Sequence, residues 1–244
     1  MRDTRERIIK ELKKVSSSKK AKIHQRFFKT GKGEYGEGDV FIGVTVPNIR
    51  SICKKYLKEI SLRDLNFFIT HEVHEYRLFA LLILTYMYER SEKEKILKIK
   101  EEKQKEIFDY YIKHIRWINN WDLVDVTAPK IVGQYLKDKD RSLLYDLIES
   151  KSIWEQRIAI LSTFTFIKDN DFKEILSFSE MLLDHYHDLI HKALGWMLRE
   201  VGKKDVDVLK KFLNKHVSKM PRTMLRYAIE KFDKEERLRY LNIS

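Results

Sequence analysis

Punctuation is scarce in this chain. Of its 244 residues only eight are glycine and three are proline, and four of the glycines crowd into 31–38. Glycine and proline are the strongest local interruptions of regular structure, so the remainder must form long continuous elements. Between the interruptions, apolar residues recur at three- and four-residue spacing, the period of an amphipathic helix. An all-α protein with strands nearly absent is expected.

Helix-start signals divide the pattern. Ser61 with Asp64 and Ser152 with Glu155 have capping-box spacing, the second being the stricter match. Pro47 and Pro221 sit where a first helical turn tolerates proline, and Gly202 reads as a residue just past a helix end. Helices are expected near 3–15, 19–29, 46–59, 61–70, 73–89, 92–115, 122–137, 141–150, 153–167, 171–184, 188–201, 205–216 and 219–232. From residue 61 they pair, and second members begin near 122, 153, 188 and 219, at intervals of 31, 35 and 31 residues. That rhythm is somewhat short of the ~40 residues of HEAT-type repeats. Each pair would bury its apolar face only against neighbours. The expected architecture is a single HEAT-like helical-repeat solenoid over 1–244, a curved α-α superhelix with a Gly-rich loop at 31–38. An irregular two-domain α bundle is the competing arrangement.

Charge and apolar content narrow the function. Lys and Arg total 49 against 37 Asp and Glu, a net charge of +12. Hydrophobic residues at 43% and aromatics at 12% supply a core despite 35% charged residues, which argues against disorder. No apolar run approaches the ~18 residues of a membrane span, and MRDTRERIIK lacks the apolar stretch of a secretory signal. The lone Cys53 forbids an internal disulfide and a cysteine zinc cluster. These features suggest a cytoplasmic protein without a membrane partner, and a monomer is the simpler expectation. The positive balance fits a polyanion ligand, because a basic surface releases counterions from phosphates. A lysine-rich genome would produce the same excess without any ligand.

Candidate functional residues are those that interrupt their own helical pattern. Arg157 is the charge within the stripe Ile153, Arg157, Ile160, Phe164, Ile167. It requires an anion, either an internal carboxylate or a nucleic-acid phosphate. In WINNWDLVDVTAPKIVGQYL, Trp121 and Asp125 lie four residues apart. Either a helix starts near Asp122 and Pro129 disturbs it, or Thr127 caps a later helix; Asp122 or Asp125 acting as a simple N-cap is the bland alternative. Lys192, Trp196 and Arg199 share a face at i, i+4, i+7, an aromatic between two cations, and Arg222 and Arg226 repeat the idea. In a stacked array the second helices, which carry Asp125, Arg157, Trp196 and Arg226, line one concave surface. TGKGEYGEGD fails the phosphate-loop pattern and reads as a mobile loop. His185, His187 and His191 fit a helix junction better than a metal site.

The motifs NNWDLVD at 119–125, IWEQRIAIL at 153–161 and HKALGWMLREVGK at 191–203 resemble the AlkD-type DNA alkylation repair enzymes, HEAT-like-repeat alkylpurine DNA glycosylases. MPRTMLRYAIEK at 220–231 and GVTVPNIR at 43–50 extend the likeness over most of the chain. The resemblance implies binding of duplex DNA containing alkylated purines and hydrolysis of the N-glycosidic bond of N3- or N7-alkylated purines, a base excision step. It implies Trp121 and Trp196 as lesion-lining aromatics, Asp125 as the catalytic carboxylate and Arg157 as a backbone clamp, with no metal or organic cofactor. Phe27 stands where related sequences carry a tyrosine at the DNA surface, and GKGEYGEGD enlarges the neighbouring loop. The alternative is a non-catalytic helical-repeat protein that binds distorted or branched duplex.

Overall fold

The apolar spacing is realised as a series of helices within residues 2–243, the part of the chain described by the computed structural model. Extended pairing among the described residues is limited to an isolated parallel bridge between Val40 and Val73. Contacts divide the chain into two units, one ending at Ile131 and the other beginning at Val132.

The first unit contains α1 (Arg2–Lys14), α2 (Ser18–Phe27), α3 (Val46–Tyr56), α4 (Leu62–Ile69), α5 (His74–Ser91), α6 (Leu97–Lys113) and α7 (Trp121–Asp125). Its centre is α5, buried at every position from His74 to Thr85. A helix apolar around its whole circumference must be enclosed, and α3, α4, α6 and α7 all pack against this one. Ser61 and Asp64 close a reciprocal capping box on α4. Cys53 is fully buried on α3, its thiol against the Phe79 carbonyl, and burial pushes its pKa upward. Helix α6 starts later than the expected residue 92. Residues 92–95 are charged, with no apolar side chain to hold a first turn against the core, and Glu94 instead accepts hydrogen bonds from the Lys95 amide and the Lys103 ammonium.

The second unit contains α8 (Gln134–Leu136), α9 (Ser142–Ile148), α10 (Ile153–Lys168), α11 (Lys173–Met181), α12 (Asp188–Lys204), α13 (Val206–His216), α14 (Arg222–Ala228) and α15 (Lys234–Ile243). Helix α12 packs between α10 and α14, while α9, α11 and α13 each contact a member of that series. This is the packing of an all-α helical repeat. Gly195 allows the α12–α14 approach: a Cβ there would collide with the Met224 carbonyl oxygen and lie 2.6 Å from Tyr227 Cβ.

Several expectations are corrected. The helix expected over 122–137 is divided into α7, a turn, a π-helical segment Pro129–Gly133 and α8. Pro129 has no amide to donate, and the Thr127 hydroxyl bonds back to the Leu123 carbonyl at 2.5 Å. At Ser152 the hydroxyl accepts the Glu155 amide, but the Glu155 carboxylate turns to Ser150 Oγ, so that box is open. Pro221 is the residue before α14 rather than within its first turn. Gly202 lies inside α12, where a Cβ would strike Leu209. Helix α15 was not expected; Asp233, whose Oδ1 accepts the Glu236 amide at 2.8 Å, starts it.

Candidate functional site

The first turn of α5, His74-Glu75-Tyr76-Arg77, places an imidazole, a carboxylate and a guanidinium in the core of the first unit. Each binds the segment before α3. Glu75 accepts hydrogen bonds from the amides of Ile42, Gly43 and Val44 at 2.7–3.2 Å. Gly43 has φ +78°, and a Cβ would collide with the Ser17 carbonyl. The His74 amide donates to Val40 O at 2.8 Å. Residues 39–44 are thereby pinned across the start of α5.

Asp39 is the hub of this arrangement. Its carboxylate accepts from Arg77 Nη2 at 2.5 Å, His74 Nδ1 at 3.0 Å, Asn120 Nδ2 at 3.2 Å and Asn119 Nδ2 at 3.3 Å. The other ring nitrogen, His74 Nε2, lies 2.9 Å from Asp122 Oδ2 on α7. Burial opposes charge on the imidazole, but the Asp122 charge and the hydrogen bonds that the ring donates to both carboxylates outweigh it, and the His74 pKa is pushed up to about 9. Burial likewise tends to raise the Asp39 pKa; the His74 hydrogen bond and the Arg77 charge reverse this, holding it below the usual carboxylate range.

The segment NNWDLVD divides its labour residue by residue. Asn119 and Asn120 reach Asp39, and Asn120 Oδ1 also accepts the Trp121 amide as the N-cap of α7. The cap is therefore Asn120 rather than Asp122 or Asp125. Asp122 meets His74 and accepts the Leu123 amide at 2.8 Å. Asp125, half-buried, is the last residue of α7, immediately before the irregular turn. Its charge also acts on Tyr111, whose phenol is pushed upward first by burial.

A run of rings lies alongside. His74 stacks on Phe41 at 4.5 Å, Phe41 on Phe28 at 5.0 Å and Phe28 on Trp121 at 5.2 Å. Phe27, 62% exposed, meets Trp121 edge-on at 5.8 Å. Two sequence candidates, Phe27 and Trp121, are thus in direct ring contact, and Asp125 closes the helix that Trp121 opens. Wedges of aromatic surface with an anion nearby suit a flat, cationic group.

In the second unit the candidates are engaged with their own surroundings. Arg157 is 5% exposed and donates from Nη1 to the Leu189 carbonyl of α12 at 2.6 Å. Trp196 Nε1 donates to Glu200 Oε1 at 3.2 Å, an oxygen that also receives Lys203 at 2.7 Å and Arg199 at 3.3 Å. Arg199 further pairs with Glu230, and Lys192 with Asp188 at 2.7 Å. Arg222 donates to the Leu241 carbonyl at 2.7 Å, and both Arg222 and Arg226 are exposed. His187 Nδ1 accepts the Leu189 amide and caps α12, the helix-junction role expected of that histidine cluster.

Sequence reasoning missed Asp39, His74, Arg77 and Glu200. For the α5 residues a signal was available: HEYR opens the otherwise apolar run LFALLILTY. Polar residues intruding on a buried helix were the criterion that selected Arg157.

Residues 8–232 match the family model described as DNA alkylation repair enzyme. Among solved structures the chain is similar to a predicted DNA alkylation repair enzyme from Enterococcus faecalis, with a TM-score of 0.66 and 17% identity. The match covers 90% of this chain and 97% of that one. At such identity the likeness speaks for the fold. No protein of curated function matches.

Proposed function

The chain belongs to the family of DNA alkylation repair enzymes, its role lies in the repair of alkylated DNA, and we propose that it is a DNA glycosylase acting on N3- and N7-alkylated purines in duplex DNA. The observation that carries this reading is the pairing of Trp121 and Asp125 on one short helix, flanked by the exposed ring of Phe27. An N3- or N7-alkylated purine is cationic and already a good leaving group. As the bond from C1′ to nitrogen breaks, positive charge moves onto the deoxyribose. A fixed carboxylate at that point stabilises the charge and orients the attacking water. The catalytic role is assigned to Asp125, one helical turn after Trp121 at the end of α7, while Asp122 orients the helix through His74. Trp121 and Phe27 offer π faces to the cationic nucleotide, an attraction of roughly 0.5–2 kcal/mol each. The chemistry asks for no metal or organic cofactor.

Phosphate contacts are assigned to Arg157, Lys192, Arg199, Arg222 and Arg226 of the second unit, with Trp196 the aromatic surface among them. The test is release of 7-methylguanine or 3-methyladenine from methylated duplex DNA. The unaltered protein is expected to release base, and Asp125→Asn to fold, bind duplex and lose roughly 100-fold or more in rate. Undiminished release by Asp125→Asn removes this carboxylate from the mechanism. Salt-sensitive duplex binding without release from any methylated substrate points instead to a non-catalytic DNA-binding protein.

A further inference from the structure

Helix α7 spans five residues, too few to hold its own geometry, and it is followed by a turn and Pro129. What orients it must come from outside. Its start is gripped twice, by the Asn120 cap, whose amide also donates to Asp39, and by Asp122 on His74 Nε2. His74 in turn is held from behind by Asp39, which Arg77 and Asn119 also bind. Both ring nitrogens face carboxylates, and only a doubly protonated imidazole donates from both. Phe41 stacks on one side of that ring, and His74 is 1% exposed, so it has no room to turn away.

We propose that His74 is a positioning residue: its imidazolium, backed by Asp39, fixes α7 through Asp122 in the orientation that presents Trp121 and Asp125 to the lesion. The kinetic part of this proposal rests on the glycosylase reading; the structural part does not. His74 touches no substrate and acts on the reaction only through the helix it holds. Its loss should therefore slow the chemical step while leaving duplex affinity in place, a separation that general destabilisation would not produce.

The experiment compares the full chain with His74→Gln, Asp122→Asn and the double variant. Single-turnover release of 7-methylguanine from methylated duplex, affinity for unmodified duplex and the ¹⁵N indole resonance of Trp121, assigned with Trp121→Phe, are measured on each. Each single variant is expected to release base roughly 10- to 100-fold more slowly, as a small misplacement of catalytic groups does, with duplex affinity within about twofold. The Trp121 indole resonance should move while those of Trp154 and Trp196 stay. The double variant should be no slower than the slower single one, because both break the same link. An active protein whose rate is unchanged in either variant, an additive double variant or an indole resonance that stays in place overturns the proposal. Asp122→Asn, which preserves shape, decides the matter if His74→Gln does not fold. If the unaltered protein releases no base, the glycosylase reading fails separately, and the indole resonance alone supports or overturns the positioning role.

Discussion

At the scale of single residues, a buried imidazolium between two carboxylates ties the first unit to a pH window. The His74 pKa rises from 6.5 in a free side chain to about 9 in the fold. A raised pKa means that the stabilisation is complete below 6.5 and is withdrawn as pH climbs through 9, a contribution on the order of 3 kcal/mol. Thermal unfolding from pH 6 to 10 should show a falling alkaline limb, and His74→Gln should flatten it. Which residues were legible beforehand follows from the reach of their partners. Trp121 and Asp125 share a helix four residues apart, so their association is written locally. The cluster around Asp39 joins segments near 39, 74 and 120, and no periodicity within one helix reports that convergence. Arg157 was recognised as a cation in an apolar stripe, yet its bond to the Leu189 carbonyl depends on how α10 meets α12.

At the scale of elements, apolar spacing located most helices because most of them bury one stripe against their neighbours. Ends were harder, since they depend on which carboxylate or hydroxyl turns back to the backbone. Ser61 and Asp64 closed their box, whereas Glu155 found Ser150 instead of Ser152. Gly202 misled because it serves packing rather than turning. Gly202 and Gly195 both lie within α12, and both mark places where a neighbour comes too close for a Cβ. Gly195→Ala should push α14 away from α12 and cost roughly 1–3 kcal/mol, visible as a lower unfolding temperature with the helical signal retained. An unaltered midpoint would mean that the contact yields without strain.

For the molecule as a whole, the charge of +12 and the assigned cations make a quantitative statement about salt. Duplex affinity should fall linearly with the logarithm of salt concentration, by about 0.9 for each phosphate neutralised. Arg157→Ala should reduce that slope by about 0.9 if its guanidinium reaches DNA. It should also cost roughly 1–3 kcal/mol, because the Leu189 carbonyl loses a buried donor. Stability loss with an unchanged slope would assign Arg157 to the scaffold alone. There is also the matter of surviving the reagents that create the substrate. Methylating agents seek thiolates at least as readily as purines. The single sulfhydryl of this chain is enclosed beneath α5 and kept protonated, so an electrophile finds no thiolate to attack. Alkylation of that thiol must therefore wait for the first unit to open.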